Sequence, residues 1–486
     1  MDIIQEIITT IGLIPLPVLV FGAVVGYLLY CSITTPKNLP PGPFAWPVIG
    51  NMWDYSRLKG PLSDTFADLR LRYGSVFRIY YGKHLIVVVS GRSVFKEACS
   101  LKDVFRRRPS WQWATDRLHR SVVRKERWFN NATWFAMLKK SISYQEQITP
   151  TTGIEMKISN QAKLLTAKLK KKPGSGVPLG QLIDACMEDI ICDVTVGSKS
   201  SFRSVLNTLF PKSCFQDSIP SIRVLPSDEE NVHRRLTLDS ESRDTVNTIL
   251  TSHRASYKGD NIRDFTDLFI KVQLERRNIY MFDKATYLQS LSTLLLTAPN
   301  HVTCVLQWAF LLVTVHPKVQ RKCQEEIDTI VGENEEIRFS NRPALPYVRA
   351  TISEVKRYAN IMTLSSPYTV TTDTTIGGHS IPREALVLFD LRPVLTDPVT
   401  CVHPERFQPE RHVDSAGRVN EPDPRIDEFV GSQMVDHLSE MTSFLFFANI
   451  LRDFSLTKLE SDVLSLEYDR DAAPCPAPYN VIATQR

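Results

Sequence analysis

Ala350-Thr351-Ile352-Ser353-Glu354-Val355-Lys356-Arg357-Tyr358 is the stretch from which the rest of the chain is read. Its texture is helical, and residues three apart on a helix share a face, so Glu354 and Arg357 are placed to pair. Alone, Glu-x-x-Arg is a chance feature of any charged helix. Its weight comes from a second acid-arginine element downstream, in Pro404-Glu405-Arg406-Phe407-Gln408-Pro409-Glu410-Arg411. Arriving from this loop, Arg411 is expected to close a buried three-member ion network with Glu354 and Arg357. Such a network is costly to desolvate and persists only when every charge is compensated.

Outward from that stretch, the composition is that of a globular chain. Hydrophobic residues make up 43% and charged residues 23%, which excludes a disordered chain. The net charge of +5 over 486 residues is small, and no basic stripe interleaved with aromatics points to nucleic acid. Nine cysteines are scattered without a Cys-x-x-Cys pair or zinc spacing. A disulfide framework or zinc site is therefore not expected, and a reducing compartment is. Ile11 to Ile33 carries no charge and is long enough to span a bilayer as one helix. Asp2 and Glu6 precede it where a cleaved signal would carry basic residues, so it reads as a retained anchor. Pro15 and Pro17 fall near its start, where a helix tolerates them. Lys37 follows, favouring a cytosolic body.

Leu39-Pro40-Pro41-Gly42-Pro43-Phe44-Ala45-Trp46-Pro47-Val48-Ile49-Gly50-Asn51 comes next, a proline density that excludes helix and gives a stiff turn. Tyr73 to Gly82 and Leu85 to Ser90 read as paired strands between glycines. Helical periodicity dominates from Ser141 to Pro317, with a long apolar helix over Leu291 to Val315 interrupted at Ala298-Pro299-Asn300. A further helix opens at His316-Pro317 and runs through Gln320, Gln324-Glu325-Glu326-Ile327-Asp328. Ser366-Pro367 to Ile381-Pro382 has strand and turn chemistry, and Ser439 to Phe454 is a strongly apolar helix.

With the proline hinge, Glu-x-x-Arg and Pro-Glu-Arg in this order, the chain resembles the cytochrome P-450 family, the heme-thiolate monooxygenases. The resemblance covers essentially the whole chain. It implies a mainly α fold with small β-sheets (α+β), divided into an anchor over 1–35, a hinge over 36–51 and a catalytic body over 52–486. It also implies a heme cofactor, an NADPH-cytochrome reductase partner and a small lipophilic substrate. The implied location is the endoplasmic reticulum membrane, crossed once, with the body in the cytosol and Asn131-Ala132-Thr133 unglycosylated. Phe444-Leu445-Phe446-Phe447-Ala448-Asn449-Ile450-Leu451 and Glu410-Arg411-His412 resemble fungal members, many of which act in secondary metabolism.

A family member binds heme through a cysteine thiolate that pushes electron density onto iron. The fingerprint Phe-x-x-Gly-x-Arg-x-Cys-x-Gly follows Pro-Glu-Arg and precedes an apolar helix. Aligned back from His437-Leu438-Ser439-Glu440, Gln433 takes the place of the cysteine. Its surroundings, Phe429-Val430-Gly431-Ser432-Gln433-Met434-Val435-Asp436, also lack the heme-propionate arginine, and no cysteine lies between Cys401 and Cys475. His437 and Met434 are nearby residues of heme-ligating type, His437 being otherwise an ordinary helix-start residue. The family's oxygen-handling Gly-x-Asp/Glu-Thr-Thr element falls on Ala298-Pro299-Asn300-His301-Val302. Asn300 replaces the acid and cannot donate a proton as one. His301, in place of an alcohol, titrates near neutral pH. For the family's propionate-holding Trp-x-x-x-Arg the nearest match is Trp134 with Lys139, Arg127-Trp128 being the rival. Arg106-Arg107-Arg108 reads as a solvated run.

The sequence thus describes a membrane-anchored homologue with its folding elements kept and its heme- and oxygen-handling positions altered. Its monooxygenation is expected to be impaired or absent. Two other readings stand beside it: an active monooxygenase whose correct transcript carries the cysteine loop, and a non-enzymatic scaffold or lipid-binding protein.

Overall fold

Val87, Val88 and Val89 are all fully buried, the mark of a strand covered on both faces. They belong to β2 (His84–Ser90), which pairs antiparallel with β1 (Val76–Tyr81) from Val76 opposite Val89 to Tyr81 opposite His84. The computed structural model describes residues 38–105, 153–197, 244–275, 284–420 and 433–486 apart from short stretches within them, with four positions near the N-terminus. It divides into two units, residues 1–108 with 367–389 and residues 109–366 with 390–486.

In the first unit a four-stranded sheet runs in the order β1-β2-β7-β4, where β4 is Tyr368–Thr369 and β7 is Leu386–Asp390. Phe389 on β7 makes edge contacts with Phe95, Phe105 and Tyr368 at 5.6, 5.7 and 6.1 Å, joining the sheet to its covering helix. A separate hairpin of β5 (Thr374–Ile376) and β6 (His379–Ile381) realises the strand chemistry read there. The proline hinge hydrogen-bonds along β1. Arg78 donates its N–H to Pro41 O at 2.8 Å and a guanidinium N–H to Pro40 O at 2.9 Å. Asn51 exchanges hydrogen bonds with the Tyr80 backbone in both directions, each 2.8 Å. Gly42 must be glycine because a Cβ there would stand 2.1 Å from the Arg78 carbonyl oxygen.

The second unit is helical: α1 (Ile154–Lys170), α2 (Leu179–Thr195), α3 (Phe265–Glu275), α4 (Lys284–Val315), α5 (Pro317–Ile330), α6 (Pro346–Tyr358) and α7 (Gln433–Asp453). From Val302 to Val313, α4 is buried on every side, and so is α7 from Met441 to Leu451. Helices apolar all round occupy the centre of a fold. Phe447 of α7 packs on Phe310 of α4 at 5.8 Å, and Phe444 on Phe339 at 6.0 Å. By contrast α5 is one-sided, burying Val319, Cys323 and Ile327 at every fourth position. Pro317 at its first turn lacks only an N–H that has no helical partner there. Thr266 ties three helices, sharing a 2.8 Å hydrogen bond with the Tyr287 hydroxyl and donating to Thr195 O at 2.8 Å. A three-stranded antiparallel sheet, β3-β9-β8, closes this unit, with β3 at Gly176–Val177, β8 at Phe454–Lys458 and β9 at Val481–Gln485.

Two expectations are corrected here. The interruption at Ala298-Pro299-Asn300 is not seen, because α4 is continuous from Lys284 to Val315. Buried residues on both sides, Leu291 and Val302, pack the helix against the core despite the lost proline donor. The expectation of no disulfide framework is qualified by one bond, Cys304–Cys475, across 171 residues of sequence. The anchor over 1–35 lies almost wholly outside the described residues, among which no single helix is long and apolar enough to cross a membrane.

Candidate functional site

On α6 the apolar positions Val348, Ile352 and Val355 turn one face inward and carry Glu354 and Arg357 with them. The Glu354 side chain is 0% exposed. Arg357 grips it bidentately, Nε to Oε2 at 2.8 Å and a terminal N–H to Oε1 at 2.9 Å. A 3-10 turn at Pro409–His412 brings the second element. From it Arg411 donates Nε–H to Glu354 Oε1 at 3.0 Å, and Gln408 adds its backbone N–H at 2.9 Å. His412, which the sequence reading left out of the network, places Nε2 2.9 Å from Glu354 Oε2. An ionised carboxylate only accepts, so Nε2 carries the proton it shares.

Burial alone would raise the Glu354 carboxyl, but hydrogen bonds from His412, Arg357 and Gln408 outweigh it and hold the group down at about 2. The guanidinium groups need further acceptors, and the backbone of 402–406 supplies them. Arg357 donates to Pro404 O at 2.9 Å and Arg406 O at 3.2 Å. Arg411 donates to Val402 O, His403 O and Arg406 O at 2.9, 3.1 and 3.2 Å. Glu410 faces the other way, accepting from Lys322 Nζ at 2.7 Å and from the Tyr347 hydroxyl at 2.9 Å. Every charge in the network is compensated, and the two arginines clamp the 402–406 loop to α6.

The other expected residues fare differently. Asn300 and His301 stand in the unbroken α4, immediately before Val302, and Gln433 is the first residue of α7; their side chains lie outside the described residues. Trp134 and Lys139 lie outside the described residues altogether. The structure therefore unites Glu354, Arg357 and Arg411, and His412 is the member that sequence reasoning missed.

One cluster among the described residues has the makings of a metal site, His253, Asp264 and Asp267. Its carboxylate oxygens are already taken. Asp264 meets His253 Nε2 at 2.9 Å through Oδ2 and the Asp267 backbone N–H at 2.9 Å through Oδ1. Asp267 is held by Arg263 at 2.6 and 2.8 Å. A compensated ion cluster of this kind fastens the start of α3 and leaves no vacant ligand set.

The chain matches the family model described as Cytochrome P450 over residues 40–426. Among curated proteins it is 26% identical to cytochrome P450 2B2 of Rattus norvegicus over 500 residues, covering 97% of this chain and 100% of that protein. To cytochrome P450 2H1 of Gallus gallus it is 26% identical, covering 91% and 92%. To cytochrome P450 2U1 of Homo sapiens it is 25% identical, covering 93% and 90%.

Proposed function

The chain is a member of the cytochrome P450 family, and from that premise we propose that it has kept the fold of a heme-thiolate monooxygenase and lost the thiolate. Membership carries monooxygenase-type chemistry and a heme cofactor. The donor set of this chain does not fit the family's ligation, and that observation carries the reading. No cysteine lies between Cys401 and Cys475. Cys401 is buried ahead of the Pro-Glu-Arg turn, with its N–H on Asp397 O, and Cys475 lies beyond α7 and β8 in the terminal tail, far along the chain from the expected position. Gln433, at the expected position, offers an amide, which is no electron donor of the thiolate kind. The family match also stops at residue 426, ahead of Gln433.

The remaining inheritance is a pocket for a small lipophilic, secondary-metabolite-type ligand on a body held at the endoplasmic reticulum membrane, facing the cytosol. Ile11 to Ile33 and the proline hinge support that placement. An NADPH-cytochrome reductase is the partner that full activity would require. The test is the spectrum of the purified chain, reduced and exposed to carbon monoxide. The long-wavelength Soret band of a thiolate-ligated iron should be missing, and Gln433→Cys should restore part of it. Its presence in the unaltered chain would make this an active monooxygenase and overturn the proposal.

A further inference from the structure

The cystine joins two places of different character. Cys304 lies on α4, fully buried, four residues past Asn300. Cys475 is half-buried and opens Cys475-Pro476-Ala477-Pro478-Tyr479, a segment outside helix and extended strand that two prolines stiffen and in which Pro476 is buried at a single β-bridge. At the other end of this segment the Tyr479 hydroxyl donates to Gln307 O at 2.6 Å. The strap is thus fastened to α4 at two points three residues apart, 304 and 307, which share a helix face. Immediately beyond it β9 is secured by its own ladder, Val481 to Gln485 against Lys458 to Phe454. Arg486 adds an ion pair to Asp328 at 2.5 Å. The last residues are therefore anchored without help from the cystine, whereas the strap is held to α4 by the cystine and the Tyr479 hydrogen bond, with Pro476 buried between them.

We propose that Cys304–Cys475 is a redox latch: reduction frees the strap 475–479 from α4 while the surrounding fold stands, and oxidation fastens it again. The oxidant is a low-molecular-weight disulfide such as oxidised glutathione. The Cys475 thiolate, on the more accessible side, attacks one sulfur of that disulfide, forming a mixed disulfide and releasing one small thiolate, which takes up the proton that Cys475 lost. The Cys304 thiolate then attacks the Cys475 sulfur. The protein S–S bond forms, the mixed S–S bond breaks, and the second small thiol leaves with the Cys304 proton. Two protein thiols are oxidised and one small disulfide is reduced to two thiols. A dithiol reverses the sequence by attacking Cys475, the reachable sulfur, so that Cys304 leaves. The other described cysteines, Cys99, Cys186, Cys192, Cys323 and Cys401, are all buried. Burial pushes the Cys323 thiol up to about 12, and unlike Cys304 it is not joined to a more accessible cysteine.

The test uses the full chain, mapped by mass spectrometry without reduction and then digested with chymotrypsin before and after dithiothreitol. A linked Cys304–Cys475 peptide is expected, together with cleavage after Tyr479 that quickens at least tenfold on reduction while the circular dichroism is unchanged. Oxidised glutathione should return the slow rate in the wild-type chain and fail to do so in Cys304→Ser. Tyr479→Phe, which lacks only the second fastening, should remain slow when oxidised and be cut faster than wild type when reduced. Equal cleavage in both redox states overturns the latch, as does a map without the linked peptide. Loss of the whole fold on reduction also overturns it, because the bond is then a structural staple.

Discussion

Glu354 carries one negative charge against two guanidinium groups and an imidazole, and the carbonyls of 402–406 take up the excess. Glu354→Ala leaves the buried Arg357 and the partly buried Arg411 without their counter-charge. The expected cost is about 3–5 kcal/mol, read as a lowered midpoint in urea at neutral pH; an unchanged midpoint would reject the assignment. The same group sets an acid limit. Its ordinary value is 4.5, and in the folded chain it is held at about 2. A depressed folded value contributes stability that is complete above the unfolded value and disappears as pH falls from about 4.5 towards 2. Through this group, unfolding followed over that window should lose roughly 3 kcal/mol in wild type, and Glu354→Gln should flatten the slope by about that amount. The Glu354–Arg357 pair was legible because three-residue spacing alone puts both on one face. Arg411 was legible only through its place downstream of that pair. His412 was not legible, because its approach depends on the tight turn of Pro409–His412 and on the second oxygen of the carboxylate.

At the scale of elements, two glutamines explain text that the sequence presented only as a pattern. Gln320 on α5 accepts from the Leu456 N–H at 2.6 Å and donates to Leu456 O at 2.9 Å, filling both backbone sites of that β8 residue. Gln324, one turn on, donates to Phe454 O at 3.0 Å. The spacing of four aligns both amides with the strand. Gln320→Ala removes partners from buried backbone groups and should cost about 1–3 kcal/mol. Hydrogen exchange at the Leu456 amide should quicken accordingly, whereas unchanged protection would show that β8 needs no such support. The strands β1 and β2 and the helices α5 and α7 followed from local periodicity. Pro299 misled because helix propensity is a local quantity, whereas α4 is packed against the core on both sides of it, at Leu291 and Val302. The cystine escaped because no local signal pairs residues 171 apart.

At the scale of the whole molecule, the order of motifs carried the fold and the membrane attachment is the claim to test. Deleting Met1 to Thr35 should release the body from membranes isolated with the full-length chain. The full-length chain itself should resist carbonate extraction, and its recovery in the soluble fraction would remove the anchor from the account. The family was legible end to end because the hinge, α6 and the Pro-Glu-Arg turn are defined by backbone demands that few residues meet. Gly42 against the Arg78 carbonyl is one such demand. The proposed chemistry rests on reading Asn300, His301 and Gln433 against the family's pattern, and the carbon monoxide spectrum is its test.

The clamp on 402–406 also bears on how such a chain drifts. Arg357 and Arg411 hold that loop by its carbonyl oxygens, which every amino acid provides. Val402, Glu405 and Arg406 are thereby released from selection for shape, and random libraries at these positions should retain folded protein far more often than libraries at Glu354. A lineage with such a clamp can shed its catalytic residues by successive neutral steps and still inherit an intact body, ready to be put to another use.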